Sequence, residues 1–426
     1  MSVSRLRGLA IDLEPLRVSK DYRRVWFGQL VSHTGSQITV VALFVQIYDL
    51  TRSAAAVGLI GLFQLVALVI AAIGGGAIVD RLDRRKILIV CEVGFAVLSG
   101  VLLLNAIQPS PSVAVVYLAG ALIAGLVGID LPARVAMTPR LVGEKLVPSA
   151  LALGQVMFNA TSLIGPAIGG LVIAQFGLGW AYGIDVVSFG AAVVATVLLP
   201  PLPPQLKEGE VHATGLTAIR EGFAFLKGRR VIQSTFWIDL VAMIFGMPRA
   251  LFPILALDVF GVGPSGAGLL FAAPAAGALI GAGASGWVKR VRHQGRAVMW
   301  AVVVWGAAIA GFGAVAGWAP GWFWLGLVFL AVAGAADVIS AVFRGTILVL
   351  AVPDRLRGRL TAINTLVVTG GPRVGDWEAG VVAQFVSPVF SVVSGGLACV
   401  LGVAIMAVFA PALARYHAGD DELAST

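Results

Sequence analysis

Glu92, Asp130, Arg134, Asp185, Asp239, Arg249, Asp337, Arg344, Arg373, Asp376 and Glu378 all sit inside runs that are otherwise apolar. A charge held away from water is costly, and within a bilayer it marks a pathway or a proton relay by default. Desolvation favours the neutral carboxyl, so a buried carboxylate can take up and release a proton near neutrality. Asp239, Asp337, Asp130 and Glu92 are the candidates for that role. Asp239 leads, because no cationic residue lies within a helical turn of it in the chain. Asp130 is expected to stay paired with Arg134, which is four residues on and shares its helix face. The alternative for each is a structural salt bridge.

Uncharged polar residues repeat at helical spacing nearby. Gln29, His33 and Gln37 form one stripe, with Ser36 beside it, and Gln155, Asn159 and Ser162 form another. A polar stripe in an apolar helix should face a cavity or a neighbouring helix, not lipid. With Arg249 and the aromatic residues Trp237 and Phe245, these are the expected lining of a small-molecule cavity. Phe44, Phe158 and Phe252 are further candidates for stacking on a substrate. Core packing is the competing reading for all the aromatics.

The elements that must position these residues are helices long enough to cross a bilayer. Of the 426 residues, 58% are hydrophobic and only 12% charged, too few charges to cover a water-soluble surface. The 53 glycines suit membrane helices, where small residues let backbones approach. A span needs roughly 20 mostly apolar residues. Such runs fall at 25–48, 55–79, 87–107, 113–137, 150–175 and 179–199, and again at 231–257, 265–288, 297–317, 321–350, 360–386 and 388–414. The expected organisation is an N-terminal segment (1–24), a six-helix bundle (25–199), a linker (200–230), a second six-helix bundle (231–414) and a tail (415–426). The fold class is thus an all-α polytopic membrane protein with twelve transmembrane helices.

Lys and Arg concentrate in alternate loops, including Arg81–Lys86, Lys207–Arg230, Lys289–Arg296 and Arg355–Arg359, while Arg52 is the one clear exception. By the positive-inside rule both termini and the linker should be cytoplasmic, in an inner membrane. The net charge of +8 therefore reports topology, and no nucleic-acid partner is expected. The halves also align at an offset of 210 residues: Arg134 falls on Arg344, Lys145 on Arg355, Gly165 on Gly375 and Gly170 on Gly380. That is the pattern of a parallel repeat.

Gly76, Asp80, Arg81, Arg84 and Arg85 make the most specific motif. It resembles the signature of the major facilitator superfamily between the second and third helices. The resemblance implies the major facilitator fold and a cytoplasmic latch, in which a helix-end carboxylate pairs with arginines and a helix N-terminus. Gly165, Pro166, Gly169 and Gly170 resemble the end of the fifth-helix motif of drug/proton antiporters in the same superfamily, although Thr161 departs from its upstream part. The stretches Tyr22–Trp26, Asp130–Arg134 with Pro139–Val142, and Arg249–Pro253 resemble the branch of siderophore and multidrug exporters. What this implies is a monomeric secondary transporter that exports a small amphipathic molecule, siderophore-like or drug-like, by proton antiport, with membrane lipid and protons as its other partners. A non-transporting sensor or scaffold on the same fold is the alternative. No Walker motif, no metal-ligand cluster and no nucleophile motif is present, so no enzyme activity, metal or other cofactor is expected. Cys91 and Cys399 read as packing residues.

Overall fold

The computed structural model describes residues 12–203, 224–351, 354–409 and 411–416. Most of the expected linker, including Lys207 and Arg220, and the tail beyond Tyr416 lie outside the described residues, as do the side chains of Gly76, Asp80, Arg355, Arg357 and Arg359.

Twelve long helices run through the described chain. They are α1 (Lys20–Thr51), α2 (Ala54–Arg81), α3 (Arg84–Ala106), α4 (Val113–Val142), α5 (Val147–Phe176) and α6 (Leu178–Val197), then α7 (Arg230–Phe245), α8 (Gly263–Gly283), α9 (Gln294–Trp318), α10 (Phe323–Ala351), α11 (Asp354–Phe385) and α12 (Pro388–Phe409). Ten of them, and the segment Arg230–Val259 that extends α7, have the length and hydropathy to cross a membrane. The other, α11, is 32 residues long, but Arg373, Asp376 and Glu378 interrupt its apolar run.

Local chemistry sets the turns. Ser19, Ser53 and Asp83 cap α1, α2 and α3 by accepting from the backbone N–H of Tyr22, Ala56 and Arg85, which satisfies donors a helix start leaves free. Gly143 and Gly177 end α4 and α5 at φ of 76° and 85°, a region open to glycine. The expected seventh span, 231–257, is not one continuous helix. It breaks at Gly246–Pro248, because Pro248 has no N–H to donate, and resumes as short turns through Arg249–Leu251 and Phe252–Ile254 to Leu255–Val259. Trp305 donates its indole N–H to the carbonyl of Gly246 at 3.0 Å and so holds one of the groups freed by the break.

Helices α3 and α6 pack within the first half, and α9 and α12 within the second. Two seams join the halves: α2 against α11, and α5 against α8. At each seam glycine backbones touch. A Cβ on Gly170 would lie 2.8 Å from Gly268 Cα, and one on Gly380 would lie 2.9 Å from Gly58 Cα. Gly268 and Gly380 are Gly58 and Gly170 shifted by the repeat offset, so the two contacts are copies of one another. Both lie toward the end where α1 meets α2, called distal below. Toward the proximal end, where α1 begins and α12 ends, a Cβ on Gly74, Gly154 or Gly283 would meet nothing within 4 Å. The seams are tight distally.

Candidate functional site

Ten of the eleven charges fall into four groups, while Glu378 on α11 is half-buried and joins none of them. In the first half, Arg134 on α4 reaches Asp130 Oδ2 at 2.6 Å through Nε and Glu92 Oε1 on α3 at 3.0 Å through Nη2. Thr196 on α6 donates to the same Glu92 oxygen at 2.9 Å. The expected Asp130–Arg134 pair is present, and Glu92 joins it.

In the second half, Arg344 on α10 pairs with Asp239 on α7 and lies 3.9 Å from Asp337 Oδ1. This corrects the expectation that Asp239 has no cationic partner. The search along its own helix could not see a cation brought in from α10, 105 residues away. Arg134 and Arg344 are repeat mates, and each holds two carboxylates. Each group therefore carries one carboxylate more than it has cations.

A third group was not singled out by sequence as a coupling candidate. Asp185 on α6 is 1% exposed and accepts from the hydroxyls of Thr39 and Ser99 at 2.7 Å each, with Ser188 at 3.3 Å. Among the described residues it has no cationic partner. Gly35 makes room for it: a Cβ there would lie 2.7 Å from Asp185 Oδ1. The signal was available in the hydroxyls at helical positions on α1 and α3, but only packing shows that they converge.

The fourth group lies at the α2–α11 seam. Arg249 Nη2 reaches Asp376 Oδ2 at 2.8 Å, and the N–H of Ala250 donates to Asp376 Oδ1 at 3.2 Å. Arg373 lies within electrostatic range of both and donates to the carbonyl of Thr369.

The polar stripes meet each other. Gln37 on α1 donates to Ser162 on α5 at 2.8 Å, and His33 meets the ring edge of Phe158 at a centroid distance of 6.3 Å. Gln29 is half-buried one turn below. Gln155 is exposed and donates to Asn159 at 3.1 Å. Among the aromatics, Trp237 is exposed and Phe245 half-buried. Phe44 and Phe252 are corrected to core residues: both are buried against Phe271. The fifth-helix glycines have separate tasks. Gly165 and Gly169 admit α1, with a Cβ lying 3.0 Å from Thr34 O and Ile38 Cα respectively, while Gly170 admits α8. The carbonyl of Pro166 abuts Gly268.

In the loop after α2, Arg81 is exposed. Arg85 donates to the carbonyl of Val197 at the end of α6 at 2.5 Å. The N–H of Arg84 donates to the carbonyl of Leu202 at 3.1 Å. These bonds tie the loop to its own half. A separate apolar groove of about 1130 Å³ runs along the flank of α1 and α6, past Val31, Ile38, Trp180 and Val187, and holds none of the charged groups.

Twelve helices in two repeated bundles, joined at two seams and enclosing paired buried charges, define a multi-pass membrane transporter of the major facilitator fold. The chain belongs to the transmembrane secretion effector family, whose family model matches residues 10–422. It is 29% identical over 403 residues to the enterobactin exporter EntS of Shigella boydii serotype 18, covering 93% of this chain and 94% of that one, and 28% identical over the same length to EntS of Escherichia coli O139:H28, with the same coverage. Among solved structures it resembles the nucleoside transporter NupG, with a TM-score of 0.73 at 14% identity over 92% of this chain and 99% of that one. It also resembles a bacterial homologue of the lysosomal transporter Spinster in an inward-facing, unoccupied conformation, with a TM-score of 0.67 at 14% identity over 93% and 96%. At these identities the structures speak for the fold alone.

Proposed function

We propose that this chain exports a small amphipathic organic molecule across the inner membrane in exchange for protons, by alternating access between its two bundles. The observation that carries the reading is that repeat-related glycine pairs close both seams at the distal end. Two copies of one bundle meeting at one end can rock to meet at the other. By the positive-inside rule the basic loops assign the proximal end to the cytoplasm, and the form described is then closed to the outside. The likeness to enterobactin exporters supports export of a siderophore-like or drug-like molecule. The loop after α2, with Asp80 and its arginines, would engage when the proximal end closes. The protein works as a monomer in lipid, because both bundles of the pathway come from one chain.

Proton exchange is assigned to the carboxylates that exceed their cations, namely Glu92 with Asp130 around Arg134 and Asp239 with Asp337 around Arg344. Gln29, His33, Gln37, Gln155, Asn159, Trp237, Phe245 and Arg249 line the route of the substrate. The test is transport in inverted vesicles under an imposed pH gradient. Gradient-driven uptake is expected, and Asp239→Asn should lower it at least about tenfold while substrate exchange persists. Flux indifferent to the gradient removes the proton claim, and absence of any flux across a siderophore and drug panel removes the transport claim.

A further inference from the structure

The seam group differs from every other charged group in sign. Among the described residues Arg249 and Arg373 share a single carboxylate, Asp376, and both oxygens of that carboxylate are already taken, one by Arg249 and one by the backbone N–H of Ala250. The Nε atoms of Arg249 and Arg373 are buried without a hydrogen-bond partner. One positive charge is left over at membrane depth, and a buried charge without a counter-charge is strongly unfavourable. Asp376 is fully buried while the Arg249 side chain is 31% exposed, so the group opens to a space on the Arg249 side. The break in α7 sets this geometry, since the chain turns at Pro248 and delivers Arg249 toward α11.

We propose that Arg249 and Arg373 bind an organic monoanion, a carboxylate or an acidic phenolate carried by the transported molecule. This rests on the export reading above and narrows its substrate class. A guanidinium pair presents N–H donors in planar forks that match the two oxygens of such a group. The seam position gives the ligand a mechanical consequence. The backbone of Arg373 and Asp376 lies directly on Gly58 and Gly61 of α2 in the other half. An anion drawn between the arginines therefore sits against the contact that must part when the distal end opens. The groups around Arg134 and Arg344 carry the opposite surplus and would repel the same anion, which leaves the seam as its resting place.

The experiment uses the purified full-length chain in detergent, with 2-naphthoate and the neutral, shape-matched 2-naphthamide as probes, and binding read by calorimetry in low-chloride buffer. Naphthoate is expected to bind at least about tenfold more tightly than naphthamide, and Arg373→Gln to cut that preference to about twofold or less, with naphthamide binding unchanged. Arg373→Lys should keep part of the preference. The wild-type comparison needs no variant, so a variant that fails to fold does not block the test. Equal binding of the two probes by the wild type overturns the proposal. So does a preference that survives in folded Arg373→Gln, or chloride at matched concentration displacing naphthoate completely, which would make the site one for inorganic anions. A chain that pumps in vesicles yet shows no anion preference loses this inference alone, whereas one that binds naphthoate but moves nothing loses the export reading.

Discussion

Tyr48 donates its hydroxyl hydrogen to the Asp258 carboxylate, and the two residues stand 210 positions apart, the offset of the internal repeat. A bond between repeat mates lies on the axis that relates the halves, so this one closes the distal end at its centre. Arg52 completes the clasp, lying 3.9 Å from Asp258 and 5.3 Å from the Tyr48 ring centroid. Removing the bond with Tyr48→Phe or Asp258→Asn should shift the population toward the distally open form by about 1 kcal/mol, roughly fivefold. A cysteine placed at Ser53 should then react faster with an impermeant maleimide from outside. Cys91 and Cys399 are buried and give a low background. Unchanged labelling would show that the clasp does not hold the end shut.

The glycine seams make a paired prediction. A methyl at Gly170 or Gly380 meets backbone of the other half below 3.0 Å, and backbone cannot yield as a flexible side-chain tip can. Gly170→Ala and Gly380→Ala should each lower the melting temperature and slow transport by similar factors, about tenfold or more. Gly154→Ala, with open space around it in this form, should leave the melting temperature unchanged. Dissimilar effects of the two seam variants would mean that the seams are not equivalent.

The arginine centres predict a specific non-additivity. Arg344→Met leaves Asp239 buried without its cation and should cost about 3–5 kcal/mol. Adding Asp239→Asn should recover much of that loss, and Arg134→Met with Glu92→Gln should behave alike. Thermal unfolding of the single and double variants measures the coupling, and purely additive losses would dissolve the assigned pairs.

Asp185 offers a cleaner removal. Asp185→Asn keeps its size and an acceptor oxygen for the Thr39 and Ser99 hydroxyls, so the fold should hold to within about 1–2 kcal/mol. If Asp185 carries no exchanging proton, gradient-driven flux should stay within about twofold of wild type. A collapse of gradient-driven flux with exchange intact would move the coupling role onto it.

The α11 helix shows how much could be read from the residues. Its place in the count follows from the apolar run expected at 360–386, although the helix begins six residues earlier, at Asp354, and its charges make it less apolar than the other spans. The places of the other helices, apart from the break in the seventh, the repeat register and the Asp130–Arg134 pair, four residues apart in the chain, are legible in the same way. Bilayer thickness and helical periodicity are local rules, so the sequence by itself determined those features. The partners of Asp239, Asp185 and Asp376 come from other helices, at separations of 105, 146 and 127 residues. Only the tertiary structure decided them, and with them which end of the bundle is shut. Two helices of the same hydropathy can face each other in many rotations, and which buried charge meets which is fixed when small residues such as Gly35, Gly58 and Gly170 let particular faces close.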